Sequence, residues 1–278
     1  MKPKIIHHYC LEDNYLLSKV KKCIASWCNS QLLVVKVIVM LTMVLSCIKV
    51  KADDSIFVER QNSPFSVSLE LTSKYIWRAI EYGDAPTTFA IINYEQKGFS
   101  AYAEGVYEFD GSHQEVDLGI AYNYKWLTAG INDYYYPSSV GEKDKYFKLS
   151  SRKTGHYLEG VVTIAPEKLP LWLTLSTYFW GADKKPLNDK NAYSSYAEMG
   201  YNHSFNDNNA ISLAIGAALN KGFYTDYEHG FNVVNITAKY SSSFRFGSYR
   251  LPVSASYVLN PYRNKSYVTL SIYFNSKL

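Results

Sequence analysis

From residue 53 onward the chain has no cysteine, because Cys10, Cys23, Cys28 and Cys47 all fall in the first 52 residues. That absence removes a disulfide framework, a cysteine metal site and a thiol nucleophile from the rest of the protein. Charge is scarce too, at 19% of the sequence, while aromatics reach 16% with 26 tyrosines. Such a mix favours pleated, half-buried surfaces over amphipathic helices. Nor does one sign of charge dominate. Residues 1–52 hold eight Lys and no Arg against Glu12 and Asp13, so totals of 29 basic and 25 acidic residues leave 21 and 23 for residues 53–278. A nearly neutral body carries no electrostatic footprint for nucleic acid.

Long apolar runs are missing apart from residues 32–48, which are interrupted only by Lys36 and are followed by Val50-Lys51-Ala52. This reads as a signal peptide cleaved after Ala52, within a leader spanning residues 1–52. The leader is long for that role, and a true start at Val35 would leave residues 1–34 outside the protein. Two rival readings are a retained membrane helix, for which the run is short, and a lipobox ending at Cys47. Residues 53–64 form a short periplasmic segment, and residues 65–278 form the folded body.

The body alternates apolar and polar residues in segments of about ten, the period of a strand. Val116, Leu118, Ile120, Tyr122, Tyr124 and Trp126 share one face, and Asp117, Gly119, Ala121, Asn123 and Lys125 the other. Phe99, Ala101, Ala103, Gly105 and Tyr107 oppose Ser100, Tyr102, Glu104, Val106 and Glu108. The spacing predicts about twelve strands, near 65–78, 87–95, 98–109, 115–125, 126–136, 155–165, 170–180, 192–205, 209–220, 231–243, 249–259 and 265–275. Tight links alternate with longer polar connections, as in an outer-membrane barrel with both termini in the periplasm. The fold class expected is therefore all-β, a transmembrane antiparallel up-and-down barrel. A soluble β-sheet alternates as well. Its water-facing side normally carries many charges, whereas the polar face here is mostly Ser, Thr, Asn, Gly, Ala and Tyr. Aromatics near strand ends, including Tyr75, Trp77, Tyr134–Tyr136, Tyr178–Trp180 and Tyr122–Trp126, suit interfacial girdles.

Ser73-Lys74-Tyr75-Ile76-Trp77-Arg78, Glu115-Val116-Asp117-Leu118 and Asp133-Tyr134-Tyr135-Tyr136-Pro137 recur in order along the body, with His156-Tyr157-Leu158-Glu159, Val234-Asn235-Ile236 and Asn260-Pro261. On these residues the body resembles the TorF-type porins and related outer-membrane barrels of gram-negative bacteria. The resemblance implies an outer-membrane location and a pore. Its motif residues here are Tyr75, Trp77, Arg78, Glu115, Asp117, Tyr135 and Pro137. Ala79 departs from the pattern, which has Gly after the Arg, and Gly permits a positive φ that Ala resists.

For chemistry, His156 and Glu159 lie three residues apart on opposite strand faces, and His203-Ser204 are adjacent and point apart, so neither makes an acid-base pair. No catalytic residue, metal ligand or cofactor site is expected. The inward charges Glu70, Lys74, Glu104, Glu108, Asp117, Glu159, Glu198 and Lys239 are the functional candidates, because lumen charges tune what passes. Equally, they could pair across the lumen as a plug, since small barrels fill with side chains. The charged connection 137–154, with Glu142, Lys143, Asp144, Lys145, Lys148, Arg152 and Lys153, could constrict the pore or bind acidic sugars, and Tyr224 and Tyr227 could stack on a sugar. The expected function is passage of small polar solutes through a narrow lumen, without enzymatic activity. The alternatives are a plugged structural or recognition barrel and, last, a lipid hydrolase. Expected partners are outer-membrane lipid and lipopolysaccharide, the barrel-assembly machinery and small polar solutes.

Overall fold

The computed structural model describes residues 63–137, 145–247 and 249–277. The leader, its cleavage site, most of the 53–64 segment and Glu142, Lys143 and Asp144 lie outside them. The strands are β1 (Phe65–Thr72), β2 (Ile76–Trp77), β3 (Ile80–Glu81), β4 (Thr87–Gln96), β5 (Phe99–Glu108), β6 (Gln114–Tyr124) and β7 (Leu127–Tyr135). They continue as β8 (His156–Ile164), β9 (Leu171–Gly181), β10 (Ser195–Asn206), β11 (Asn209–Ala218), β12 (Asn232–Phe246), β13 (Tyr249–Asn260) and β14 (Lys265–Lys277). β1 and β4–β14 pair antiparallel in sequence order, and β1 closes on β14 to give a barrel of twelve strands; β2 and β3 form a separate hairpin. Closure leaves no unpaired edge, which a lipid environment would penalise.

The register fixes which side chains share a face. Glu70 lies opposite Tyr273 and Phe89, Glu104 opposite Asp117, Asp117 opposite Tyr134, and Thr174 opposite Glu198. Lys239 lies opposite Ser256, and Ser256 opposite Thr269. These belong to the inner wall. The alternate residues point outward around the circumference: Leu118, Ile120 and Leu270 are 41%, 53% and 60% exposed, with Ile92, Met199, Leu213 and Val268 among the others. An apolar belt of this extent would not persist in water. With a polar inner wall and alternating strands, the fold is a transmembrane antiparallel up-and-down barrel. No helix among the described residues is long and apolar enough to cross a membrane; the crossing elements are strands.

At one end the links are tight, as between Gln96 and Phe99, Tyr124 and Leu127, and Asn206 and Asn209; at the other lie the longer connections. One element departs from the expected strand near 65–78. β1 stops at Thr72, whose hydroxyl donates to the Lys74 carbonyl (3.3 Å), while the Ser73 N–H donates to the Leu270 carbonyl (2.9 Å). The chain then leaves the wall and folds inward as the β2–β3 hairpin. A longer strand would have left Tyr75, Trp77 and Arg78 alternating across the wall, whereas folding inward buries Tyr75 and encloses the other two.

The expected aromatic girdle is therefore divided. Tyr122, Tyr124 and Trp126 do point outward near the tight-turn end. Tyr75, Tyr134 and Tyr178 are buried, and with Trp77 and Tyr136 they face the lumen, because they stand on inner positions of the alternation or on the folded-in segment.

Candidate functional site

The inward segment turns on two residues. Trp77 pairs with Ile80 across Arg78 and Ala79, which have φ of 48° and 58°. Both central residues being left-handed makes a two-residue hairpin of the I′ kind, where Gly is favoured at the second position. Ala79 occupies it here. Ala79 is buried, and its carbonyl accepts a hydrogen bond from Asn260 Nδ2 at 3.1 Å. Asn260 Oδ1 also accepts from the Arg263 N–H at 3.0 Å, tying the hairpin tip to the connection after β13.

From that turn Arg78 reaches the far wall. Its Nη1 and Nη2 donate to Glu159 Oε1 and Oε2 at 2.5 and 3.1 Å, a forked pair with the carboxylate fully buried. The guanidinium carbon sits 4.2 Å from the Trp77 ring centroid and 4.6 Å from that of Tyr196. Tyr134 and Tyr224 hydroxyls complete the Glu159 shell at 3.0 and 3.3 Å. Elsewhere in the segment the Tyr75 hydroxyl donates to Glu115 Oε2 at 2.9 Å, and its ring stacks on Tyr82, which stacks in turn on Tyr136. Lys74 pairs with Glu81 at 2.7 Å and with Asp84, and these bonds, Asp84 foremost, hold its ammonium above the ordinary lysine range. Burial pushes the Tyr82 hydroxyl well up. Together these groups close the barrel at the long-connection end with an aromatic plug centred on one ion pair.

Beneath the plug lies a cavity of about 420 Å³. Glu70, Glu104, Asp117 and Lys239 line it, with Tyr102, Phe89, Tyr273 and a row of Ser and Thr from β13 and β14. Further toward the tight turns the inward Asn123 and Asn202 are exposed, so that end of the lumen is open to water.

The eight charged candidates divide by role. Glu70, Glu104, Asp117 and Lys239 face the cavity, and Lys239 Nζ donates to the Tyr273 hydroxyl at 3.0 Å. Lys74 lines it as well, on the inward segment and committed to Glu81 and Asp84. Glu159 belongs to the plug. Glu108 is fully buried at the rim and accepts from the Ala85 N–H at 2.8 Å and from the Ser112 hydroxyl, fastening the end of the inward segment. Glu198 accepts from the Tyr196 hydroxyl and from Asn235 Nδ2 at 2.8 Å. Of the motif residues, Tyr75, Trp77, Arg78 and Glu115 build the plug and Asp117 faces the cavity, while Pro137 follows the end of β7.

Tyr135 stands on the outward face of β7, buried there beside His156 and Tyr146. His156 is buried there, with Nδ1 2.9 Å from Asp133 and Nε2 2.7 Å from the Tyr146 carbonyl. Glu159 lies on the opposite face and belongs to Arg78. With a carboxylate and a carbonyl as its partners, His156 fastens the connection before β8 to the barrel. His203 lies exposed on the outer face, against Phe205 at 4.9 Å.

Sequence reasoning missed Tyr224, Tyr196 and Asn260. The loop stacking on a sugar that Tyr224 and Tyr227 could provide is not seen, since Tyr224 is 1% exposed, within the plug, and the Tyr227 hydroxyl donates to Asp183 at 3.1 Å. The one available signal was an Arg among aromatics in a segment otherwise read as a wall strand, which would have placed a charge where it needed a buried partner.

No family model and no curated protein matches this chain. Among solved structures, the KdgM porin in complex with disordered oligogalacturonate aligns at 11% identity over 77% of this chain and 98% of that one, TM-score 0.44. The NanC porin aligns at 12% identity over 77% and 99%, TM-score 0.45. An outer-membrane channel from Pseudomonas putida F1 aligns at 10% identity over 81% and 98%, TM-score 0.42.

Proposed function

We propose that this protein is a narrow outer-membrane channel for small polar solutes, gated at its long-connection end by the inward segment 73–86. One observation carries the reading: a barrel with an apolar exterior encloses a charged, polar cavity that continues to open water on one side and meets the folded-in segment, with Tyr224 packed on it, on the other. A barrel needing only mechanical stability gains nothing from such a cavity, because leaving a wall polar forgoes packing. Short turns on one side and longer connections on the other support an orientation with both mature termini in the periplasm and the plug at the cell surface. Lipopolysaccharide then surrounds the outer rim, and the barrel-assembly machinery inserts the folded chain.

The test is conductance across a planar bilayer. Wild type gives infrequent, small steps, and withdrawal of the plug by Arg78→Ala gives larger or more frequent ones. Silence from both would favour the second reading, a permanently plugged barrel whose connections do the recognising. The burial of the plug and its complete ion pair favour that second reading. A lipid hydrolase would require Ser, His and an acid converging at one rim, and the ring nitrogens of His156 are engaged by Asp133 and the Tyr146 carbonyl instead.

A further inference from the structure

The cavity beneath the plug has unbalanced charge. Of the cations on its lining, Lys74 is committed to Glu81 and Asp84, and Arg78 to Glu159. Lys239 rests on the Tyr273 hydroxyl. Against that one uncommitted ammonium stand three carboxylates, Glu70, Glu104 and Asp117, and among the described residues none has a basic side chain within ion-pairing distance. Glu104 and Asp117 are direct cross-strand neighbours, an arrangement that costs energy when both are charged. Asp117 is only 4% exposed, and its Oδ1 has no hydrogen-bond partner. Leaving a buried carboxylate oxygen unpaired is expensive, and such an exception in a native fold asks for a ligand.

We propose that Asp117, Glu104 and Glu70 form a binding site for a small organic cation carrying an ammonium or guanidinium group. Such a cation supplies donors to the unpartnered Asp117 oxygen and relieves the repulsion between Asp117 and Glu104 in one step. The rings of Tyr102 and Phe89 also line the cavity, and aromatic faces attract desolvated cations. A bare metal ion is a poorer fit, since no group of three or more metal-ligating side chains gathers among the described residues. At about 420 Å³ the cavity lies within the usual range of small-ligand sites, roughly 300–1,000 Å³. The site rests on the reading of the lumen as a path open to solutes, and it names the class of solute that path prefers.

Isothermal titration calorimetry on the whole mature barrel, refolded in detergent, tests this with putrescine and glutamate as probes. Putrescine should bind at least about ten-fold more tightly than glutamate. Asp117→Asn and Glu104→Gln should each weaken putrescine by roughly ten-fold, the loss expected for one charge-assisted hydrogen bond. Lys239→Gln should tighten it by removing the one opposing charge. Heat-modifiable gel mobility confirms that each variant is folded; if Asp117→Asn fails there, Glu104→Gln decides alone. Putrescine binding no tighter than glutamate, or unchanged by the folded carboxylate variants, overturns the proposal. Bilayer recordings keep the two readings apart. Binding with a silent bilayer retains the site and removes the channel, whereas a conducting pore with no amine preference retains the channel and removes the site.

Discussion

Removing the Arg78 side chain should unlock the plug without dismantling the barrel, and the structure sets the scale. Arg78→Ala leaves Glu159 fully buried without its cation, and stranding one partner of such a pair costs about 3–5 kcal/mol. The Tyr134 and Tyr224 hydroxyls still donate to that carboxylate, at 3.0 and 3.3 Å, which argues for the lower end of the range. Loss of the cation above Trp77 and Tyr196 adds back about 1 kcal/mol. A net of about 4 kcal/mol corresponds to roughly 900-fold in the ratio of displaced to seated plug. The wall is untouched, because its strands pair through their own backbone ladders. Two assays follow: open probability in a planar bilayer, and iodide quenching of Trp77, which is enclosed when the plug is seated. Arg78→Lys should fall between the two, keeping the charge but losing the fork. Pairing Arg78→Ala with Glu159→Gln should recover at least about 1 kcal/mol relative to the sum of the single changes, since the stranded charge is then gone. Wild-type current and quenching in Arg78→Ala, or strict additivity in that cycle, would refute the assignment of the pair as the lock.

Other outcomes follow from the same geometry. Ala79→Gly should leave the plug as stable or slightly more so, whereas Ala79→Val should loosen it by about 2 kcal/mol, because a β-branched residue resists the left-handed backbone; the iodide assay reads both. Asn260→Leu should loosen the hairpin tip by about 2 kcal/mol through two lost hydrogen bonds and a buried carbonyl left unpaired, seen as increased quenching of Trp77. Ile120→Arg, on the lipid face near the middle of β6, should lower urea stability in lipid vesicles by about 2–4 kcal/mol. A loss below 1 kcal/mol there would argue that the belt does not face hydrocarbon. Glu198→Ala should shift the reversal potential toward anions, as should Glu104→Ala.

Strand number, closure and the identity of the two faces were legible because the alternation has a period of two and almost every strand keeps it. Leu118 and Leu270 could be assigned outward from their neighbours alone. The plug was not legible by that rule. Tyr75 and Trp77 continue the apolar alternation of Val67, Leu69 and Leu71, and nothing in the period distinguishes a strand that stays in the wall from one that turns in. What decides it is a two-residue turn at Arg78-Ala79 whose sequence hides its conformation, since neither residue advertises a positive φ. Tyr224 and Asn260 were beyond reach for another reason. Each meets the hairpin from more than a hundred residues away, and only the closed barrel brings them together.

The short motifs that carry the family resemblance acquire a common cause once the hairpin is in place. Tyr75 needs Glu115, Arg78 needs Glu159 beside Tyr134, and the backbone at Ala79 needs Asn260. These partners come from β6, β8, β7 and β13, and Glu108 of β5 fastens the far end, so the segment is held by side-chain contacts to separate strands and by no continuous ladder. A ladder would make release as costly as unravelling a strand. Separate side-chain contacts let the segment open as a local unit while every barrel hydrogen bond persists. The forked pair then matters out of proportion to its size, because its loss leaves a fully buried carboxylate without its cation. A gate built this way can be strong when seated and still separable from the wall, which a plug continuous with the sheet could not be.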